Sequence, residues 1–265
     1  MGQTEETHEK RESSFFNQRD TEKKRAKCAI AHYVVHKLLR KGDSILLDAG
    51  TSLYPVANWI VQEAVKASRE QDPNERKFKH YTIMTHNYQA FRILVDSIPR
   101  EANFNIVLAG GRYDQDLNAL FGPQTIMSYE NFFPRVVLIG ASGIVADQGL
   151  FCHGNTEEPA VKDVIFKKSA MRRILITDYE KLGRPDALRF GESQDLREGV
   201  ESCLLVTDQP AVENEGNVGN GEIPGPTLRD RFRREVEILQ NTYNVEVHIV
   251  DDEYIQDYGD YPSKE

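Results

Sequence analysis

SILLDAGTSLYPVANWIVQEAVKA, residues 44–67, decides the fold. Residues 44–48 form an apolar run too short for a helix and without polar alternation, which reads as a strand covered on both faces. Gly50 breaks the run, and from about Leu53 to Ala67 apolar residues return at helical spacing. This strand–turn–helix unit recurs along the chain. Downstream, HYTIMT (80–85), FNIVLAG (104–110), RVVLIG (135–140), RILITD (173–178), CLLVTD (203–208) and VEVHIVD (245–251) read as further strands, and 88–97, 123–131, 159–171 and 228–240 as helices. Upstream, Cys28, Ile30, Ala31, Val34, Val35, Leu38 and Leu39 repeat with helical period, and Gly42 stops that helix. Strands alternating with amphipathic helices predict an α/β domain, a Rossmann-like three-layer arrangement around a mostly parallel sheet.

The chain has 265 residues, enough for a full-sized core, and a formal net charge of -9, which disfavours a broad electrostatic grip on nucleic acid or an anionic membrane. Cys28, Cys152 and Cys203 are odd in number and widely spaced, so neither a disulfide framework nor a structural zinc site is expected, and a reducing cytoplasm suits them. No apolar run approaches the ~20 residues of a membrane span. Residues 1–22 mix both charge signs and read as a disordered arm. The domain is expected over 23–251, with a Gly-, Asn- and Glu-rich mobile loop at about 209–226 and an acidic tail at 252–265 that carries Tyr254, Tyr258 and Tyr261.

In a parallel sheet, ligands gather at the carboxyl ends of the strands, so the residues just after each apolar run carry the chemistry. After the first come Asp48, Gly50, Thr51 and Ser52, a glycine turn with two hydroxyls at a helix start. Such a turn cradles a phosphate, or simply caps the helix. Thr85, His86 and Asn87 follow the second strand, where Asn87 also reads as a cap. Gly110 and Gly111 follow the third, leaving room for a ligand or a tight turn. Gly140 to Gly143 follow the fourth, without the spacing of a dinucleotide fingerprint, and no P-loop is present. Glu158 and Lys162, four apart on a helix, form either a surface ion pair or a carboxylate and an ammonium turned into a pocket. Asp178 and Lys181 follow the fifth strand.

The succession LLDAGTS, MTHN, LAGG, FGPQ, LIGASGI, EEPAVK and ITDYEKLG, from about residue 20 to 251, resembles the C-terminal sensor domain of the DeoR family of bacterial sugar-metabolism regulators. That domain is similar to the ribose-5-phosphate isomerase, glucosamine-6-phosphate deaminase and coenzyme A transferase folds. The resemblance implies phosphate or sugar contacts at Asp48, Gly50, Thr51, Ser52, Thr85, Asn87, Gly110, Gly111, Glu158, Lys162, Asp178 and Lys181. His86 stands where the family is not restrictive and is not carried over. Family members place a winged helix-turn-helix before the sensor, and an arm of 22 residues is too short for one, so direct DNA binding is not expected of this chain.

The resulting expectation is a stand-alone sensor that binds a phosphorylated sugar or related phosphometabolite and regulates transcription or a partner as a homo-oligomer, with no cofactor and no metal. The alternative is a sugar-phosphate isomerase, deaminase or lactonase. There Glu158 or Asp178 would move a proton, and Lys162 or Lys181 would steady negative charge.

Overall fold

The computed structural model describes residues 23–69, 78, 80–210 and 227–260. The arm at 1–22, the loop from 211 to 226 and the tail from 261 lie outside the described residues.

The chain enters through helix α1 (Lys24–Tyr33), which continues as a π-helical turn over Val34–Leu38. Leu39 then turns extended, and the end is clamped: Arg172 donates to the Leu38 carbonyl and to Asp43 at 2.7 Å, while Asp43 accepts from the Arg40 amide. Next come β1 (Ser44–Leu47), α2 (Tyr54–Arg69), β2 (Thr82–Thr85), α3 (Tyr88–Ser97) and β3 (Asn105–Leu108). A hairpin, β4 (Arg112–Asp114) with β5 (Ala119–Phe121), leads to α4 (Pro123–Glu130) and β6 (Val136–Gly140). Strands β7 (Gly143–Val145) and β8 (Gly149–Cys152) precede α5 (Glu158–Phe166), β9 (Ala170–Ile176), β10 (Leu188–Gly191) and β11 (Val200–Asp208). The chain closes through α6 (Leu228–Asn241), β12 (Glu246–Val250) and α7 (Asp252–Tyr258).

Seven strands form one sheet in the order β12-β11-β9-β6-β1-β2-β3, every pair parallel. All seven carboxyl ends therefore share one edge. The chain builds outward from β1 through β2 to β3, then returns to the other side of β1 with β6 and builds the opposite way. The gap between β1 and β6 is thus the point where strand order reverses, the place where α/β sheets open a crevice.

Strand residues alternate between two cores. Ile45, Leu47, Ile83, Val136, Leu138, Ile174 and Val206 face α1, α2 and α3, where Cys28, Val56, Ile60 and Leu94 are buried with them. Leu46, Val137, Ile139, Leu175, Cys203 and Leu205 face the other way, onto Tyr129, Val161, Phe232 and Leu239. This double burial explains why the central strands β1 and β6 lack polar alternation.

The structure departs from the sequence reading in four places. The helix expected over 159–171 ends at Phe166, and Ala170 already pairs with Val200 in β9. Arg172 and Arg173 disguise that strand. Arg173 is fully buried because its guanidinium donates to the carbonyls of Asp195, Leu196 and Glu198. The expected acidic tail is, over Asp252–Tyr258, a helix capped by the Asp251 side chain on the Tyr254 amide. It packs on α1, where Tyr258 stacks on His32 at 4.0 Å and the Tyr254 hydroxyl shares a 2.8 Å hydrogen bond with His32 Nδ1. The antiparallel sheet β10-β8-β7 and the β4–β5 hairpin were not expected either, their strands being three or four residues long. Finally, the first helix ends in a π turn rather than running regularly to Gly42.

Candidate functional site

At the β1/β6 crevice the two strands are tied together by one carboxylate. Asp48 is fully buried. Its amide donates to the Leu138 carbonyl, its Oδ1 accepts from the Ala49 amide at 2.8 Å, and its Oδ2 accepts from the Gly140 amide at 3.0 Å. The Lys162 ammonium, from α5, donates to the same Oδ2 and to the Gly140 carbonyl at 2.9 Å, and stands 3.9 Å from Glu158 Oε1. Burial works against the charge on Lys162, but Asp48 and Glu158 outweigh it and hold the ammonium above its ordinary range. Below Asp48 lies His86, fully buried, with Nε2 3.8 Å from Asp48 Oδ1 and Nδ1 sharing a 2.6 Å hydrogen bond with the Tyr129 hydroxyl. Burial pushes His86 down to about 4, against the pull of Asp48.

Above Asp48 the chain turns at Gly50, whose φ of 126° lies in the left-handed region where a side chain is strained. The Gly50 carbonyl accepts from the Leu53 and Tyr54 amides, so the first helical turn starts here and the amides of Gly50, Thr51 and Ser52 stand at a helix start, ahead of any intrahelical acceptor. Lys27, buried on α1, donates to Thr51 Oγ1 at 3.2 Å. Lys181 arrives from the far side, paired at 2.7 Å with the buried Asp178. Burial raises the Asp178 carboxyl, but Lys181, then Lys23 and Lys27, hold it below its ordinary range. Its neighbour Asp208, at the end of β11, is pushed up to about 6 by burial and by Asp178, although the Tyr179 amide donates to it at 2.8 Å.

A pocket opens between these groups. Gly50, Thr51, Ser52, Gly140, Ser142 and Lys181 wall it together with Cys152, His153, Glu158 and Lys162. His153 Nδ1 lies 2.8 Å from Asp186 Oδ1. Burial alone would raise Asp186, but hydrogen bonds from Ser142, His153 and the Ala187 amide keep it low. Among the described residues there is no group of His, Cys, Asp and Glu that could hold a metal ion, and no helix long and apolar enough to cross a membrane.

Residues 22–202, most of the chain, match the family described as the DeoR C terminal sensor domain. The chain belongs to this DeoR sensor family. The chain is 27% identical over 162 residues to the glycerol-3-phosphate regulon repressor of Haemophilus influenzae, covering 61% of this chain and 55% of that protein. It is 24% identical over 172 residues to the HTH-type transcriptional repressor GlcR of Bacillus subtilis, covering 65% and 55%. The chain thus spans about half the length of the curated relatives it matches. Among solved structures, ribose 5 phosphate isomerase A from Neisseria gonorrhoeae is 15% identical with a TM-score of 0.35, covering 65% of this chain and 56% of that one.

Of the twelve positions singled out in the sequence, the fold brings Asp48, Gly50, Thr51, Ser52, Glu158, Lys162 and Lys181 together at the crevice, with Asp178 behind Lys181. The other four stand apart from the pocket wall. Asn87 Oδ1 accepts from the Ala90 amide and caps α3, and Thr85 Oγ1 accepts from the Asn87 amide. Gly111 sits at φ 137°, where an added Cβ would lie 2.6 Å from the Phe121 carbonyl oxygen, so the turn into β4 demands glycine. Gly110 accepts from Thr125 Oγ1 beside it. Lys27, Tyr129 and Asp186 were not singled out in the sequence, and His86, named there but not carried over, is buried beside Asp48. A lysine inside an apolar helical run was the available signal for Lys27. Nothing in the sequence announces that Tyr129 meets His86 or that Asp186 meets His153.

Proposed function

We propose that this chain is the effector-sensing part of a transcription regulator, and that its effector is a phosphorylated sugar or a related phosphometabolite bound at the β1/β6 crevice. One observation carries the reading: the Gly50–Ser52 turn presents a helix start, two hydroxyls and the ammonium of Lys181 at the same wall of one pocket. Amides, a helix dipole and a cation converging on one point suit a phosphate. Glycerol 3-phosphate, for which one relative is named, is a ligand of this chemistry. The effector would shift the domain between two conformations by binding one of them better.

A thermal-shift series with inorganic phosphate, glycerol 3-phosphate and hexose phosphates tests this. A true ligand at 100 times its Kd stabilises the fold by about 2.7 kcal/mol. Thr51→Val should abolish the gain, and an undiminished gain in that variant would remove the turn from the site. The enzymatic reading rests on Glu158, whose carboxylate stands 3.9 Å from the Lys162 ammonium at the pocket wall, a pair suited to proton transfer. Mass spectrometry of each recovered ligand separates the two: an unchanged hit supports sensing, and turnover lost in Glu158→Gln supports catalysis.

A further inference from the structure

Resting on the phosphate reading above, we infer that the ligand is a monophosphate whose far end is neutral and hydroxylated or carries an amine, and that this end is read in a second cavity beside the crevice. The crevice cavity measures only about 30 Å³. A second one of about 250 Å³ lies between the β4–β5 hairpin and the loop after β8, lined by Asp114, Asp116, Leu117, His153, Gly154 and Asn155. The two meet at His153, which walls both. A phosphate in the first cavity therefore points the rest of its molecule past His153 into the second, the roomier of the two.

The lining of the second cavity selects by charge. Asp114 is occupied in holding the hairpin: its Oδ1 accepts from the Asp116 and Leu117 amides and its Oδ2 from Asn155 Nδ2 at 2.7 Å. Asn155 Oδ1 in turn accepts from the Glu157 and Glu158 amides at the start of α5. These bonds join the hairpin to the loop and keep the cavity walls in place. Asp116 is exposed, and among the described residues its carboxylate makes no hydrogen bond. Asp186 lies behind His153, and Arg112, the cation of the hairpin, is taken by Glu157. A second phosphate or a carboxylate would therefore enter beside uncompensated negative charge, whereas hydroxyls find acceptors and an amine finds a counter-ion. Leu117 offers an apolar face to sugar C–H groups. Exclusion by like charge is the economical route to discriminating ligands that share one phosphate.

Titration calorimetry on the whole chain tests this with glucose 6-phosphate, glucosamine 6-phosphate, 6-phosphogluconate and fructose 1,6-bisphosphate, and with inorganic phosphate as the reference for the first cavity. The two neutral or amino monophosphates should bind about tenfold tighter than the two doubly anionic ligands. Asp116→Asn should narrow that gap by at least about threefold, and His153→Gln should weaken glucose 6-phosphate by about tenfold relative to inorganic phosphate. Doubly anionic ligands binding as well as the monophosphates, or a gap indifferent to Asp116→Asn, overturns the inference while phosphate binding that Thr51→Val abolishes keeps the first site standing. If neither inorganic phosphate nor any ester binds, both readings fall together.

Discussion

At the scale of single residues, Asp48 ties the switch point together by serving three donors at once, the Ala49 and Gly140 amides and the Lys162 ammonium. Removing it leaves Lys162 buried without its main partner, and breaking a buried pair from one side costs about 3–5 kcal/mol. Urea denaturation of Asp48→Ala should show a loss of that size. The double change Asp48→Asn with Lys162→Met removes both charges and should recover most of it. A double variant as unstable as the single one would assign the cost to the lost Ala49 and Gly140 hydrogen bonds instead. His86, beneath the pair, sets a pH dependence. Its native form resists protonation down to about 4, while the unfolded chain takes a proton near 6.5. Stability is therefore complete above 6.5 and falls as pH drops towards 4, by about 3 kcal/mol from this residue. His32, also pushed down to about 4 by burial and by His36 beside it, acts in the same direction. Asp208 opposes them, because its native carboxyl takes a proton near 6, before the unfolded one does. The readout is therefore the difference between wild type and His86→Gln: the variant's stability should decline less steeply between pH 6.5 and 4, and parallel curves would show that His86 titrates normally.

At the scale of elements, α3 separates capping from ligand binding. Asn87→Ala removes the cap on the Ala90 amide and should cost about 1 kcal/mol, whereas Asn87→Ser keeps an oxygen in place and should cost a few tenths at most. Ligand affinity in Asn87→Ser decides the rest: unchanged affinity leaves Asn87 a cap, and a loss of tenfold or more makes it a contact as well. The same duality explains how far the elements could be read in advance. Strands such as Ser44–Leu47 and Val136–Gly140 are legible because burial on both faces leaves an uninterrupted apolar signature. The strand at Ala170–Ile176 is half hidden, because Arg172 and Arg173 are buried on the strength of acceptors 20 or more residues away in sequence. The crevice residues are legible where they follow a strand directly, as Asp48 to Ser52 do. The wall that β8, β10 and the loop at 153–155 contribute is not, since its strands are too short to show a period and its key pair, His153 with Asp186, is made only by folding.

At the scale of the whole molecule, the last helix belongs to the fold. Ending the chain after Asp251 would strip Tyr254 and Tyr258 from His32 and uncover the face of α1 beneath them. The expected loss is about 2 kcal/mol, a drop of about 4–8 °C in Tm, and an unchanged Tm would make the helix an ornament. The two layers of helices, one on each side of the sheet, also carry one sulfur-bearing group or more apiece. Cys28 is sealed in the layer of α1 and α2, while Cys152 and Cys203 are sealed in the opposite one. Burial pushes Cys152 up to about 12 and Cys203 up to about 11, so neither reacts while its layer is shut. The molecule therefore contains its own pair of clocks. The rates at which an alkylating reagent marks Cys28 and Cys203 time the breathing of the two sides of the sheet, Cys152 being set aside because it also walls the crevice pocket, and ligand-induced slowing on one side but not the other would reveal which half of the sandwich feels the effector.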